Sequence, residues 1–403
     1  MKKPFTMLLA LLAFVGVKAN DGAFYSKGNQ LIPITETTIL VQKEILTITY
    51  DQTRSGFHRF KVNVYYEFYN PGEAKDLLVG FEAVSDDPGE THPFIHNFKV
   101  VMNDNDLPFE VSRIFYPINE RGQLDFEMKD YYKDGHFVEP TEEMWAAMED
   151  QNSPYYYYED VSSVPYYFVY HFNAHFNKGL NIIQHTYDFN GMDLVMEEYM
   201  FDYVLTAANR WANNGIDDFT LEINMGDHQS FSVDPAFFEN ADEWTFSGKG
   251  KAGQRLDMQF VCEESCPMFH VQSGSIIFHK KDFHPEGELR IARDAFYIYD
   301  YFNYKNDQRS FYNPSSFVEG FKSQYYNLYL DLSGEPISKE GFTDEQLRIL
   351  KNIPFAYHGY VFNSKDLQSY FESTQWYVPN PEYKPDLTKL DRHEKEWVQF
   401  WLK

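Results

Sequence analysis

Apolar and polar residues alternate along most of the chain between about residues 20 and 330, and this period of two predicts β-strands. Within residues 62–68, the four even-numbered side chains are apolar and share one face. Residues 46–50 and 219–225 repeat the pattern, and turns rich in Asn, Pro and Gly punctuate it. Short strands separated by such turns are typical of antiparallel sheets. We therefore predict a mainly β fold, with antiparallel β-sandwich domains followed by a small α-helical C-terminal module.

The helical module is predicted by a change in the spacing of apolar residues near residue 340. Residues 343–346 read Thr-Asp-Glu-Gln, a capping box that begins one helix. Asn363 or Ser364 caps a second helix and Asp386 a third, and apolar residues follow each cap at helical spacing.

These patterns divide the chain into four consecutive parts. They are a signal peptide at 1–19, an N-terminal β-sandwich domain at 20–190 with a polar helical insertion near 103–160, a second β-rich region at 191–335, and the helical module at 340–403. Within the insertion, residues 140–148 are predicted to form a short helix, because a Thr cap precedes acidic first-turn residues.

The first nineteen residues have the features of a secretory signal peptide. Lys2 and Lys3 precede an apolar run, and small residues precede a cut after Ala19. The apolar run is shorter than the roughly 20 residues of a spanning helix. No cysteine lies near the cut to carry a lipid anchor. We expect a secreted or periplasmic protein without a transmembrane span.

Composition restricts the class of partner. The 403 residues include 61 acidic and 35 basic side chains, which give a net charge of −26. Because phosphate binding requires a basic surface, this charge argues against a nucleic-acid partner. The 37 Phe, 31 Tyr and 6 Trp residues exclude a disordered chain.

The two cysteines, Cys262 and Cys266, lie four positions apart. A turn would bring them within reach of a disulfide, whereas a strand would hold them about 13 Å apart. A local disulfide and two idle thiols both remain open. A zinc site is not expected, because the sequence offers no second pair of ligands at a suitable spacing.

One C-terminal segment resembles a known family. The motif residues are Phe355, Ala356, Tyr357, His358 and Gly359, with Trp376 in the aromatic connector that follows. The segment 340–403 resembles the YARHG domain, a small bacterial module, and the resemblance implies a location outside the cytoplasm. Tyr357 replaces the arginine of the family motif, and Pro354 stands where an apolar residue is usual.

The motif itself has two interpretations. His358 is the first candidate for acid–base chemistry or binding. The alternative is a structural motif, in which His358 ends a helix and Gly359 supplies a left-handed cap.

The N-terminal part resembles secreted proteins of Gram-negative bacteria that share a domain of unknown function. The residues that carry this resemblance are 20–23, 44–48, 66–71 and 185–187. The resemblance implies an extracytoplasmic β architecture and no established chemistry.

Three further patterns suggest chemistry or binding. Residues 248–253 match G-x-G-x-x-G, but no βαβ unit surrounds them, and a flexible hairpin loop is predicted. His171 and His175 would stand about 13 Å apart on a strand, too far to share a metal ion. The pattern around residue 299 sets three tyrosines on one strand face, where they form either core or an aromatic binding surface: Tyr297, Tyr299 and Tyr301.

These observations lead to a functional hypothesis with no cofactor and no metal. The chain is expected to be a secreted or periplasmic, non-catalytic cell-envelope protein. It would bind or anchor, through the helical module, to an envelope component, a glycan or a protein. The alternative is a glycan- or cell-wall-processing accessory protein or hydrolase, with acids of the insertion and aromatic rings lining its subsites.

Overall fold

The fold is described from a computed structural model. The described residues are 27–29, 32–33, 37–51, 59–84, 95–114, 132–133, 136–137, 146, 150, 167–190, 197–255, 266–294, 343–374, 376–390 and 392–402. The predicted signal peptide and most of the insertion, including the predicted helix at 140–148 apart from the helical Ala146, lie outside them.

Strands make up most of the described residues before the module. In chain order they are β1 (Lys27–Asn29), β2 (Ile32–Pro33), β3 (Leu40–Asp51), β4 (Arg59–Asn70), β5 (Lys75–Val84), β6 (Ile95–Met102), β7 (Asn105–Asp106), β8 (Glu110–Ile114), β9 (Tyr132–Lys133), β10 (His136–Phe137), β11 (Tyr167–Phe176), β12 (Gly179–Asn190), β13 (Glu197–Val204), β14 (Ile216–Asn224), β15 (Gln229–Val233), β16 (Trp244–Phe246), β17 (Lys249–Arg255), β18 (Cys266–Ser273), β19 (Ile276–Phe283) and β20 (Leu289–Asp294). The mainly β prediction is confirmed.

The strands form a sandwich. One layer is an eight-stranded sheet in the order β16-β19-β14-β3-β4-β12-β6-β7. Facing it are a six-stranded sheet, β1-β13-β20-β15-β18-β17, and a four-stranded sheet, β2-β5-β11-β8, while β9 and β10 pair separately. One hydrophobic cluster joins the facing layers. The alternation predicted for residues 62–68 is confirmed, because Val62, Val64, Tyr66 and Phe68 are buried in that cluster.

The connectivity differs from the prediction in two respects. Most neighbouring strands are antiparallel, but β3 pairs in parallel with β14, and β1 with β13. The eight-stranded sheet therefore draws strands from both predicted β regions, 20–190 and 191–335. Alternation identifies strands but not their partners, so the boundary near residue 190 does not separate two cores.

The predicted loop at 248–253 is wrong, because Lys249–Arg255 forms β17 against β18. Its glycines permit close packing rather than a flexible turn. A Cβ on Gly250 would lie 2.2 Å from the Phe246 ring, and one on Gly248 would lie 2.2 Å from Ser273 O.

The C-terminal segment contains three helices with a separate core. They are α1 (Asp344–Tyr357), α2 (Lys365–Ser373) and α3 (Arg392–Leu402). The capping box at Thr343 is confirmed, and Ser364 is the N-cap of α2. Asp386 caps a 3₁₀ turn, Leu387–Lys389, rather than α3 itself. The cluster of buried residues within this segment contains no residue from the sandwich. We call residues 343–402 the helical module.

No helix in the described part of the chain is long and apolar enough to cross a membrane.

Candidate functional site

The motif segment forms the C-terminal cap of α1. Gly359 has φ of 80°. Its N–H donates to Ala356 O at 2.8 Å, and the N–H of Tyr360 donates to Phe355 O at 3.0 Å. Together these bonds form a Schellman motif, in which glycine takes the left-handed position. This is the cap conformation that the sequence predicted for Gly359.

The atoms around Gly359 leave no room for a side chain, and its backbone angle also favours glycine. A Cβ there would lie 2.6 Å from Val378 O and 2.7 Å from Gln272 Nε2. Gln272 belongs to β18, and its Nε2 donates to Val378 O at 3.0 Å. The sheet and the aromatic connector thus meet at the backbone of the motif.

The six-stranded sheet presents a polar face to the motif. Strands β15 and β18 are buried on both faces. Their apolar side chains join the sandwich core: Phe231, Val233, Phe269 and Val271. The alternate side chains point away from that core, to what we call the outer face, and four of them are polar. They are Ser230, Ser232, His270 and Gln272.

Three outer-face residues lie in one row across neighbouring strands. Ser230 on β15 and Lys251 on β17 are both register partners of His270 on β18. Ser230 Oγ and His270 Nδ1 share a hydrogen bond of 2.6 Å. Lys251 Nζ donates to Thr374 O of the helical module at 2.7 Å. The row therefore connects the sheet to the module.

Aromatic rings of the motif cover this row. The Tyr357 ring meets the His270 ring edge-on, with centroids 5.3 Å apart, and stacks on Trp376 at 5.2 Å. Tyr357 and Trp376 are 1% and 0% exposed. A neutral ring suits this buried position, where the family motif has an arginine, because an unpaired buried charge is costly.

A second cluster contains two histidines from opposite sides of the contact. His228, next to β15, and His358 of the motif have ring centroids 4.9 Å apart. Because a carbonyl oxygen only accepts, His228 Nδ1–H donates to Tyr357 O at 3.1 Å. His358 Nε2 lies 2.9 Å from Glu394 Oε1 on α3, and the Glu394 side chain is 4% exposed.

Burial controls the charge of the sheet histidines. It lowers the pKa of His228 to about 4, and the neighbouring His358 lowers it as well. Burial lowers the pKa of His270 to about 3, with smaller effects from His228 and Lys251. Both imidazoles are therefore neutral at neutral pH.

The arrangement limits the chemistry that these groups can perform. A Ser–His pair acts in nucleophilic catalysis only when a substrate can reach the serine oxygen. Ser230 is 0% exposed and His270 is 1% exposed. Among the residues that the structure describes, no three His, Cys, Asp or Glu side chains are placed to hold a metal ion.

The remaining predicted site residues lie elsewhere or outside the description. Phe355 packs partly buried against the module core, and Ala356 is buried in it. Cys266 is buried and disulfide-bonded, whereas Cys262, the other cysteine of the sequence, lies outside the described residues. The predicted aromatic surface also lies outside them: Tyr297, Tyr299 and Tyr301.

The two strand histidines have separate partners. His171 and His175 lie on β11, as predicted. His171 Nε2 is 2.9 Å from Ser112 Oγ, and His175 Nδ1 is 2.8 Å from Asp76 Oδ1.

The sheet side of this contact was not predicted from the sequence. Its residues are His228, Ser230, Lys251, His270 and Gln272. Polar residues alternating with apolar ones indicate a solvent-facing strand surface, so the pattern gives no sign that the module covers it. A weak signal was present, because the polar outer-face residues of β15 and β18 are Ser, His and Gln rather than Lys, Arg, Asp or Glu.

Two solved structures are similar to this chain at low identity. A candidate nutrient-binding protein from Legionella pneumophila is 18% identical, with 94% of this chain and 97% of that chain covered and a TM-score of 0.45. The M1 zinc metallopeptidase from Deinococcus radiodurans is 10% identical, with 65% and 43% covered and a TM-score of 0.24. Neither likeness bears on the function of this chain. No curated protein matches it.

The family comparison concerns the C-terminal segment alone. The match starts earlier than the boundary predicted near residue 340, and its first residues precede the described module. Residues 326–402 match the YARHG domain family, so the chain carries a YARHG domain at its C-terminus.

Proposed function

We propose that this chain is an exported, non-catalytic binding protein of the cell envelope, in which the YARHG motif attaches the helical module to the β-sandwich. The carrying observation is the contact of Tyr357, His358 and Gly359 with the outer face of the six-stranded sheet. A motif occupied in this way is not available to an external ligand. Binding to a partner would then use other surfaces of the protein.

The hydrogen-bond partners of the potentially reactive side chains support a non-catalytic role. Ser230 and His270 bond to each other beneath Tyr357, and His358 bonds to Glu394 within the module. A general base must reach the proton that it abstracts, directly or through one water. These groups reach protein atoms instead.

Export is supported by two features. The first nineteen residues have the pattern of a signal peptide, and Cys266 is disulfide-bonded. Structural disulfides persist in oxidising compartments outside the cytoplasm. The net charge of −26 further favours a neutral or basic partner, because it repels polyanions.

A capture experiment tests the proposal. The protein that starts at residue 20 is immobilised and exposed to envelope fractions. In a separate assay it is incubated with cell-wall and storage polysaccharides. We expect capture of envelope material without turnover of any polymer. Turnover would contradict the non-catalytic proposal and favour the glycan-processing alternative, and a folded protein that captures nothing would contradict the binding role.

A paired variant tests the role of the motif. Lys251→Met with Gln272→Met removes two sheet-side donors to the module and leaves the motif residues intact. The matched control, Lys178→Met with Gln184→Met, changes an exposed lysine and an exposed glutamine on the eight-stranded side. We expect both proteins to capture as the wild type does. Stronger capture by the first variant alone would show that a freed motif binds the partner.

A further inference from the structure

The contact between the YARHG module and the sandwich is polar and contains three imidazoles. Its sheet side contributes hydrogen bonds from His228, Lys251 and Gln272 to backbone carbonyls of the module. Polar contacts between compact units of one chain resemble transient interfaces. The module core and the sandwich core share no residue, so separation would uncover only the module rings that face the sheet, Tyr357 and Trp376.

We propose that this docking is acid-sensitive: protonation of His228 and His270 releases the YARHG module from the sheet as a folded unit. The inference concerns regulation of the intramolecular contact and does not depend on the identity of any ligand.

The surroundings of His228 oppose a positive charge. Its ring faces the ring of His358, and protonation of both histidines would place two cations side by side. Asp227, adjacent in sequence, and Glu394 on α3 favour the charged form, but burial and His358 outweigh them. The backbone carbonyl of Tyr357, which accepts from His228 Nδ1–H, also favours the charged form, and burial and His358 outweigh it as well.

His228 and Lys251 both lower the pKa of His270, and no acidic group among the described residues acts on it. Ser230 bonds its Nδ1, and the rings of Tyr357 and Trp376 cover it from the module. Lys251 is its register partner on β17. A proton on His270 would therefore create a second cation next to the lysine, within a buried contact.

The direction of the pH effect follows from linkage. Burial in the docked state lowers the pKa of His228 to about 4, whereas an exposed imidazole titrates near 6.5. The released form then binds more protons, so docking is strongest above pH 6.5 and weakens as the pH falls towards 4. For His228 alone, the docking constant falls on the order of 30-fold at about pH 5. His270, whose docked pKa is about 3, acts in the same direction.

Hydroxyl-radical footprinting of the full-length protein, read by mass spectrometry at about pH 7.5 and about pH 5, tests the proposal. Tyr357 and His270 report on the contact, Trp397 on the module core and Phe219 on the sandwich core. We expect several-fold greater oxidation of the two contact residues at the lower pH, with both cores protected. Equal protection at both pH values would overturn the proposal, and so would simultaneous loss of protection in both cores.

Histidine variants identify the groups that respond. His228→Gln with His270→Gln should abolish the pH response. The control, His175→Gln with His279→Gln, changes two exposed histidines that bond carboxylates elsewhere, and should open as the wild type does. If the double variant is already released at neutral pH, the single variants His228→Gln and His270→Gln provide the test. Each should take up about one proton when the module is released, whereas the wild type should take up about two. An unchanged pH dependence in the single variants would contradict the assignment.

Discussion

The indole Nε1–H of Trp397 donates a buried hydrogen bond of 2.8 Å to the carbonyl oxygen of Leu350. Within α1 that oxygen would ordinarily accept from residue 354, but Pro354 has no N–H. Trp397 on α3 supplies the missing donor. The proline that departs from the family pattern thus creates an acceptor that ties two helices of the YARHG module together.

This relationship predicts a coupling between Trp397 and Pro354. Trp397→Phe leaves the Leu350 carbonyl buried without this donor, at a cost of about 1–3 kcal/mol plus the loss from the smaller ring. In a Pro354→Ala background the backbone regains an N–H at this position that can bond Leu350 O, so the same substitution should cost about 1 kcal/mol less. Urea unfolding of the four proteins of this double-mutant cycle measures the difference. If Trp397→Phe costs the same with Pro354 as with the alanine, the indole hydrogen bond does not replace the missing helical bond to Leu350 O.

Gly359 and Gly179 form a matched pair of left-handed glycines. Their φ angles are 80° and 91°, but a Cβ on Gly179 would have no atom within 4 Å. Gly179→Ala should cost about 1–2 kcal/mol for backbone strain alone. Gly359→Ala should cost about 1–3 kcal/mol more, because its Cβ also collides with Val378 O.

Two measurements separate these effects. Denaturant unfolding followed by circular dichroism gives the cost of each substitution, and footprinting of Tyr357 reports on docking. Only Gly359→Ala should expose Tyr357 under native conditions. If both variants lose equal stability and keep Tyr357 protected, the close approach does not position the module.

Sequence patterns predicted the elements better than their assembly. The period of two identified β3, β4 and β14, because each has one face in the core. The parallel pairing of β3 with β14 joins segments more than 150 residues apart, and alternation carries no information about such partners. Likewise, the capping box at Thr343 was predictable because it is local.

The candidate site was half predictable for a similar reason. Tyr357, His358 and Gly359 belong to one contiguous motif, and the left-handed cap follows from a glycine after a helix. His270 lies on β18 and His228 in the turn before β15, and a sequence pattern would expose both positions to solvent. Their burial results from the docking of the module, a tertiary effect that local periodicity does not show.

Asp202 and Arg290 form a second testable pair, on the six-stranded sheet. Arg290 Nε and Nη2 bond the two carboxylate oxygens of Asp202 at 2.7 and 3.0 Å. The side chains are 6% exposed for Asp202 and 21% for Arg290. Asp202→Asn should cost about 3 kcal/mol, since it replaces the carboxylate that accepts two charge-assisted hydrogen bonds from Arg290 with a neutral amide. Glu73→Gln, which removes the exposed partner of Lys178, should give no measurable loss in the same thermal or urea unfolding.

His185 should oppose folding in acid. It lies on β12 with 0% exposure, and its ring stacks against Phe81 and Tyr187, with centroids 5.8 and 6.0 Å away. Neither ring nitrogen has a hydrogen-bond partner among the described residues. Burial lowers its pKa to about 3. The folded state therefore binds fewer protons than the unfolded state, and stability is lost as the pH falls from 6.5 towards 3.

Replacing the His185 imidazole with an apolar ring should remove both the cost of its unsatisfied nitrogens and the loss of stability in acid. His185→Phe should raise the free energy of unfolding by about 1 kcal/mol at neutral pH, because no buried nitrogen remains unsatisfied. At about pH 5 the gain should grow by about 2 kcal/mol, the linkage contribution of one histidine held neutral by burial. His175→Phe makes the same substitution at an exposed position on β11 and is the control. Urea unfolding at both pH values measures the two gains. An equal advantage at pH 7 and pH 5 would mean that His185 is not held neutral in the folded protein, and that its burial in the sandwich core carries no acid penalty.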